Sequence, residues 1–592
     1  MDPKNNSLND SNNDVAINIS PKIDEVDRPH LVDLKNTPKS IVPESLKNVP
    51  LIYPSVSYLI YFKRTLQNLF LTLLFDWTNI VTSPLNFLLT FVFFPLVAII
   101  LFLLEIVLRF ISYMKWDVND DESVIQSWSR LLSSRPERIV ENLRLGIKAL
   151  DELPSSPESK FRKGFNLNRV QFLLYLSTIL QERDEKKVTE AYRMISNLEK
   201  SLKDNKKPDD LQKIQQIYDI LKESEIGIHK QLEEFNIKFT SLSELNTLGG
   251  PYAGMFWSDE GNFIVIALKG TTPTSFNDWL TNATFQRMDA RSYLFGEVHE
   301  GFYIQLFPAD EYESARVDRR CPASRIIDAV RIKSESIRTS NMEKNNTTPE
   351  DTPLVNVYVT GHSLGGALAT LLFSRLLKSS QSLGTHCLLR DGTAFASPSI
   401  GDSDFSAEFS SINNKHSDSL SEISSINNKP FDEYKTLWRI VCDNDIVPRV
   451  PIGHHHPKLQ RYAKKVHIMN YFHVGNEVRF YQDGSTPSSM NNIFTDDKEL
   501  IFIEKGLSWK DWRSLFGLYD PFDYTKHDKK ATFDSKLDDK LYSYEKFLIG
   551  PLSPFRNHMS HRYFAALEKS REFFDNNNGD LKEKNISEEN VV

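Results

Sequence analysis

Cysteine is nearly absent: Cys321, Cys387 and Cys442 are the three in 592 residues. A secreted scaffold held together by disulfides is thereby excluded, and a reducing compartment is favoured. An excess of positive charge is also lacking. Lys and Arg number 71 against 79 Asp and Glu, a net charge of −8. Nucleic-acid binding needs clustered basic residues, so no nucleic-acid partner is expected. Glycine is missing from the first 145 residues: none precedes Gly146, and only Gly146, Gly164 and Gly227 precede Gly249. Glycine supplies tight turns and close backbone approaches. The turn-rich, strand-bearing part of the chain is therefore expected from about residue 246, with helix and apolar sequence before it. What is abundant is hydrophobic residues, 40% of the chain beside 25% charged, enough for a sizeable core.

Residues 1–50 are rich in Asn, Asp, Ser, Lys and Pro and read as a disordered tail, as do 573–592. No basic cluster runs into an apolar core at the start, so no cleavable signal peptide is read there. Residues 55–115 read as a membrane segment. Leu85 to Leu104 carries no charge, and about 20 such residues span a bilayer core of ~30 Å. Leu66 to Phe75 is uncharged too, and Pro84 offers a bend between the two stretches. A single span and a hairpin both fit. The hairpin puts Lys63, Arg64, Arg109 and Lys115 on one face, which the positive-inside tendency prefers. Residues 116–245 read as a charged, helical accessory region, with Val170, Leu173, Leu174, Leu176 and Leu180 at helical spacing. The remaining 246–572 read as a catalytic domain with polar insertions at about 304–353 and 403–430. The second contains the hexamer SSINNK twice, at 410–415 and 424–429, and reads as a low-complexity loop.

The chemistry starts at Val355 to Val359, a β-branched strand that runs into Gly361-His362-Ser363-Leu364-Gly365-Gly366 and then into an Ala/Leu-rich helix. This is the strand–turn–helix setting that a G-x-S-x-G nucleophile elbow needs, with glycines where the backbone closes on itself and Ser363 lifted to a helix N-terminus. A serine nucleophile needs a base, and the base an orienting carboxylate. In chain order the acid follows the serine and the histidine comes last. Leu437 to Val441 reads as a strand ending at Asp443 and Asp445. Asp445 is the first choice for the acid and Asp443 the rival. His558 is the first choice for the base and His561 the alternative. The adjacent histidines His454 to His456 lack ligand spacing, so neither metal nor organic cofactor is expected.

With these residues in hand, the chain resembles the class 3 (fungal-type) lipases of the α/β-hydrolase fold over roughly residues 168–570. The GHSLGG elbow at 361–366 is the family's form. Asp445-Ile446-Val447-Pro448 is similar to its D-x-V-P segment, and Val298-His299-Glu300-Gly301-Phe302 to its V-H-x-G-F. Phe395-Ala396-Ser397-Pro398 with Gly401-Asp402 resembles its F-G-x-P…G-D stretch. Tyr471 to Glu477 resembles its H-x-G-x-E strand entry. The resemblance implies an α/β fold with a mostly parallel central sheet flanked by helices, and a catalytic set of Ser363, Asp445 and His558. It implies an oxyanion hole from the backbone N–H groups of Thr271 and Leu364, with Lys269 standing where the family usually has Arg. It also implies a lid within Pro273 to Phe285, carrying Phe276, Trp279 and Leu280.

The expected activity is hydrolysis of glycerolipid acyl esters by a membrane-anchored serine enzyme, a triacylglycerol or diacylglycerol lipase. A phospholipase of the same mechanism and an inactive lipase-like membrane scaffold are the alternatives. The expected partners are the lipid ester and a membrane or lipid-droplet surface. Endoplasmic reticulum and lipid droplet both suit the anchor, with the catalytic domain on the cytosolic side. The sequons at Asn282 and Asn345 test that orientation, since sugar on either would make it lumenal.

Overall fold

The computed structural model describes residues 58–75, 77, 79–82, 84–113, 137–151, 165–203, 210–242, 251–271, 281–308, 321–412, 435–443, 445–451, 470–485, 487–490 and 557–574. The expected N-terminal tail, the second SSINNK copy, the tri-histidine and the lid residues Phe276, Trp279 and Leu280 lie outside the described residues. The expected C-terminal tail starts too early, since Phe573 and Phe574 are helical and pack against the core, and 575–592 lie outside the described residues.

Among the described residues the main sheet has eight strands. In chain order they are β1 (Lys238–Ser241), β2 (Ala253–Trp257), β3 (Phe263–Leu268), β6 (Val355–His362), β7 (Cys387–Phe395), β8 (Leu437–Cys442), β9 (Asn476–Phe480) and β10 (Ser488–Met490). They lie side by side in that order. Strands β3, β6, β7, β8 and β9 pair in parallel, while β1–β2–β3 and β9–β10 pair antiparallel. A separate ribbon joins β4 (Arg287–Asp289) to β5 (Glu297–His299).

The central strands are Val- and Ile-rich because both faces are covered, so alternation of apolar and polar residues is lost. Strands β3, β6 and β8 are buried at every position. Side chains still alternate. Ile264, Ile266 and Leu268 enter one core, with Val355, Val357, Val359 and the helix Leu364–Lys378. Phe263, Val265 and Ala267 enter the other, with Tyr358, Trp438 and Ile440 and the helices Leu167–Ile179 and Ser560–Lys569. Each fully buried Leu, Ile, Val or Phe contributes about 1.5–3 kcal/mol. A mostly parallel sheet layered by helices on both faces, with its antiparallel start at β1–β3, is the α/β-hydrolase arrangement.

Three further segments differ from the sequence reading. The first is the supposed insertion around 304–353, which contains the helix Pro322–Asn345. Its Ile326, Ile327, Val330 and Ile337 are buried in the first core. Lys, Arg and Glu on the outer face of that helix make the sequence look like a loop. The second is the boundary near 246, which falls too late. The helix Leu167–Ile179 is buried along nearly its whole length against the sheet, capped by the Asn166 side chain accepting from the Arg169 N–H at 3.0 Å, and β1 already belongs to the sheet. The third is the start of the 403–430 segment. Residues 403–412 are helical, with Phe405 and Phe409 buried.

Ahead of this body stand two helices, Tyr58–Phe75 and Pro84–Tyr113. The Tyr58 hydroxyl donates to the Ala98 carbonyl at 3.1 Å, and its ring meets that of Phe102, so the two helices run back alongside each other. Phe87–Ile106 has a mean hydropathy of 3.0 and is the one stretch among the described residues long and apolar enough to cross a membrane. Leu88, Val92, Leu96, Ile99, Ile100 and Leu103 are exposed along it. Pro84 opens the second helix and Pro95 sits within it.

Candidate active site

Ser363 sits where β6 ends and the helix Leu364–Lys378 begins. Its backbone is at φ 59°, ψ −127°, a region L residues rarely adopt and one that costs about 1–3 kcal/mol. The surroundings fix it there. Its N–H donates to the Phe395 carbonyl at 2.9 Å, and its own carbonyl accepts from the N–H groups of Gly366 at 2.8 Å and Ala367 at 3.2 Å. Two glycines make the turn possible. A Cβ at Gly361 would lie 2.1 Å from the Gly365 carbonyl oxygen, and one at Gly365 would lie 2.1 Å from that of Leu268. Both obstacles are backbone, so neither can step aside.

The His558 ring stands over this serine. Its Nε2 is 2.8 Å from Ser363 Oγ. Its Nδ1 is 2.9 Å from Asp445 Oδ2 and 3.1 Å from Oδ1. A carboxylate can only accept, so Nδ1 carries the proton and Nε2 is left to accept from the serine hydroxyl. Asp445 is fully buried. The Tyr563 hydroxyl donates to its Oδ2 at 2.7 Å, and the Val447 N–H donates to its Oδ1 at 3.0 Å. These two donors hold the carboxylate plane while both oxygens face the imidazole. Burial, and then the charge of Asp445, push the Tyr563 phenol well above its ordinary pKa, so it stays a donor.

The rival acid is elsewhere. Asp443 takes a left-handed turn conformation at φ 44° and its Oδ2 accepts from the Gln482 N–H at 3.0 Å. It is therefore a turn residue. The ring bridging serine and acid is that of His558, while His561 is the second residue of the following helix, Ser560–Lys569. Thr271 follows Gly270, where a Cβ would lie 2.6 Å from the His362 carbonyl oxygen and 3.5 Å from Ser363 Cβ. The loop after β3 therefore lies against the elbow, beside Leu364, the first residue of its helix. Among the described residues no group of His, Cys, Asp and Glu could hold a metal ion.

Three residues that sequence reasoning did not assign also belong here. Tyr563 is one, and in sequence it is only an aromatic near two histidines. His362 is another. Its Nε2 donates to the His558 carbonyl at 3.0 Å, and its ring stands edge-on to Tyr563. Burial, and then the neighbouring His558, drive its pKa well below the usual histidine value, so it is a neutral strut. Asn282 is the third: its side-chain amide donates to Thr271 Oγ1 at 2.9 Å. That sequon asparagine turns its amide inward rather than to solvent. None of the three partnerships is local in sequence, and no spacing signals them.

A parallel-rich hydrolase sheet with a serine, an imidazole and a buried carboxylate in hydrogen-bonded line defines the class of site. Residues 265–455 match the class 3 lipase family, a span that holds Thr271, Ser363 and Asp445 and stops short of His558. Over 202 residues the chain is 26% identical to triacylglycerol lipase OBL1 of Arabidopsis thaliana, covering 32% of this chain and 35% of that protein. The Ricinus communis triacylglycerol lipase OBL1 is also 26% identical, over 214 residues and the same shares. The chain thus matches about a third of the length of these curated relatives. Among solved structures, the Rhizomucor miehei lipase propeptide complex aligns at 19% identity and a TM-score of 0.27, over 44% of this chain and 63% of that one. Lipase II from Rhizopus niveus aligns at 20% identity and 0.25, over 43% and 69%.

Proposed function

We propose that this chain is a membrane-anchored serine hydrolase that cleaves acyl esters of glycerolipids, with Ser363, His558 and Asp445 as its catalytic residues. The observation that carries the reading is the unbroken line from Ser363 Oγ through both nitrogens of His558 to Asp445, at 2.8 and 2.9 Å. His558 Nε2 takes the serine proton as Oγ attacks the ester carbonyl, and Asp445 stabilises the imidazolium that forms. The backbone N–H groups of Thr271 and Leu364 receive the oxyanion, each such donor being worth about 3 kcal/mol. His558 then protonates the departing alcohol, and the same ring activates water to release the fatty acid from the acyl-serine.

A lipid substrate is supported by the class 3 lipase match and by the two triacylglycerol lipases among the relatives. The anchor is supported by the exposed apolar flank of Pro84–Tyr113, which needs a nonaqueous surrounding. An enzyme so tethered works at a lipid surface, of the endoplasmic reticulum or a lipid droplet, with the catalytic domain on the cytosolic side.

A panel of tri-, di- and monoacylglycerol and phospholipid esters, assayed with wild type and Ser363→Ala, tests this reading. Fatty-acid release from acylglycerols that vanishes in Ser363→Ala supports it. Release from phospholipids alone moves the substrate class, and release that survives in Ser363→Ala removes the mechanism.

A further inference from the structure

The two N-terminal helices do not merely precede the catalytic body; they touch it at residues 283 and 285. The Tyr61 hydroxyl donates to the Ala283 carbonyl at 3.2 Å across 222 residues of chain. Tyr61, Ala98, Leu101 and Ala283 form one buried apolar cluster, with Phe285 packed against it. The Phe93 ring meets the Phe285 ring edge-on, centroids 5.3 Å apart. On its other side the same short segment is fastened to the hydrolase body. The Tyr471 hydroxyl donates to the Phe285 carbonyl at 2.7 Å, and Phe285 meets the ring of buried His299. The Thr281 carbonyl oxygen lies so close to Gly301 that a Cβ there would come within 2.1 Å of it. Between these fastenings lies Asn282, whose amide donates to Thr271 Oγ1.

We infer that the helix pair is part of the catalytic unit: Tyr61 and Phe93 clamp residues 281–285 and, through Asn282, position Thr271 beside Ser363. This rests on the hydrolase reading above and adds to it a role for the anchor other than retention. Chemistry points the same way. A helix that only held the protein in lipid has no use for a tyrosine hydroxyl buried against the body. Here the Ala283 carbonyl, which already accepts from the Phe285 N–H at 2.9 Å, takes the Tyr61 hydroxyl as a second donor and so has both lone pairs engaged within the apolar cluster. The oxyanion donor is useful only if it is fixed before the charge develops. A clamp on the segment that bonds its side chain lowers the reorganisation that step would otherwise need. Tyr61 and Phe93 are positioning residues, since neither touches the reacting atoms.

The test uses the full chain in detergent micelles and a short water-soluble ester, p-nitrophenyl butyrate, so that delivery from a membrane plays no part. Tyr61→Phe, which keeps the ring, and Phe93→Ala are each expected to lower kcat about three- to tenfold with KM unchanged. Val92→Ala, at an exposed position on the same helix, leaves kcat at the wild-type value. Combined with Asn282→Ala, the Tyr61→Phe loss is less than multiplicative, because both act through Thr271. Wild-type kcat in both Tyr61→Phe and Phe93→Ala, with Ser363-dependent turnover intact, overturns the clamp alone. Ester turnover by wild type that is indifferent to Ser363 overturns the underlying hydrolase reading instead.

Discussion

Replacing Tyr563 by Phe removes one oxygen from a fully buried part of the site and leaves the ring. That oxygen donates to Asp445 Oδ2 at 2.7 Å, and Asp445 has no contact with solvent. After the change Oδ2 keeps only the imidazole, while Oδ1 keeps the Val447 N–H. A hydrogen bond to a charged group is worth about 1.5–3 kcal/mol, so folding stability falls by that amount. At ~2–4 °C per kcal/mol, the melting temperature of the catalytic body drops by about 3–12 °C. The carboxylate then turns more freely about its own axis and holds the His558 ring less firmly. We expect kcat to fall about tenfold with KM unchanged, far less than the ~10⁴-fold loss from Asp445→Asn, which presents an amide to the imidazole. Thermal unfolding and ester kinetics on the two variants check both numbers. A Tyr563→Phe protein with wild-type melting temperature and wild-type kcat would refute the idea that this phenol holds the acid.

Acid should weaken the fold steeply. Burial holds His299 at a pKa of about 3 and pushes His362 well below the usual value, whereas both titrate near ~6.5 when unfolded. Below that pH the unfolded chain binds protons that the folded one refuses, so stability present at neutral pH is lost as pH falls. Each histidine contributes about 1.4 kcal/mol per pH unit. Denaturant midpoints measured from pH 6.5 to 5 should show the combined slope, and a flat profile would contradict it. Ala396, where the resembling family carries glycine, sits at φ 52° in a buried turn, a conformation that burdens a side chain with about 1–2 kcal/mol. Ala396→Gly should therefore raise stability by ~0.5–1 kcal/mol in chemical unfolding, net of the entropy glycine loses, and a destabilised variant would sink that reading.

The elbow was legible because its requirements are local. A β-branched strand, two glycines at fixed offsets and an Ala/Leu helix can be read in one stretch. The helix Pro322–Asn345 was not legible as a core element, because its buried face is only Ile326, Ile327, Val330, Ile337 and a few small residues among many charges. Choosing between His558 and His561 is beyond sequence spacing, since the two are three residues apart and only folding decides which ring meets Asp445. The struts Tyr563, His362 and Asn282 lie further still from any sequence signal. Each acts on a partner brought near by the sheet, between 11 and 196 residues away.

The most direct measurement is active-site labelling with a fluorophosphonate, followed by mass-spectrometric mapping of the modified residue. The account predicts stoichiometric modification of Ser363, none in Ser363→Ala, and greatly slowed labelling in Asp445→Asn. A label found on another residue, or undiminished in Ser363→Ala, would contradict it.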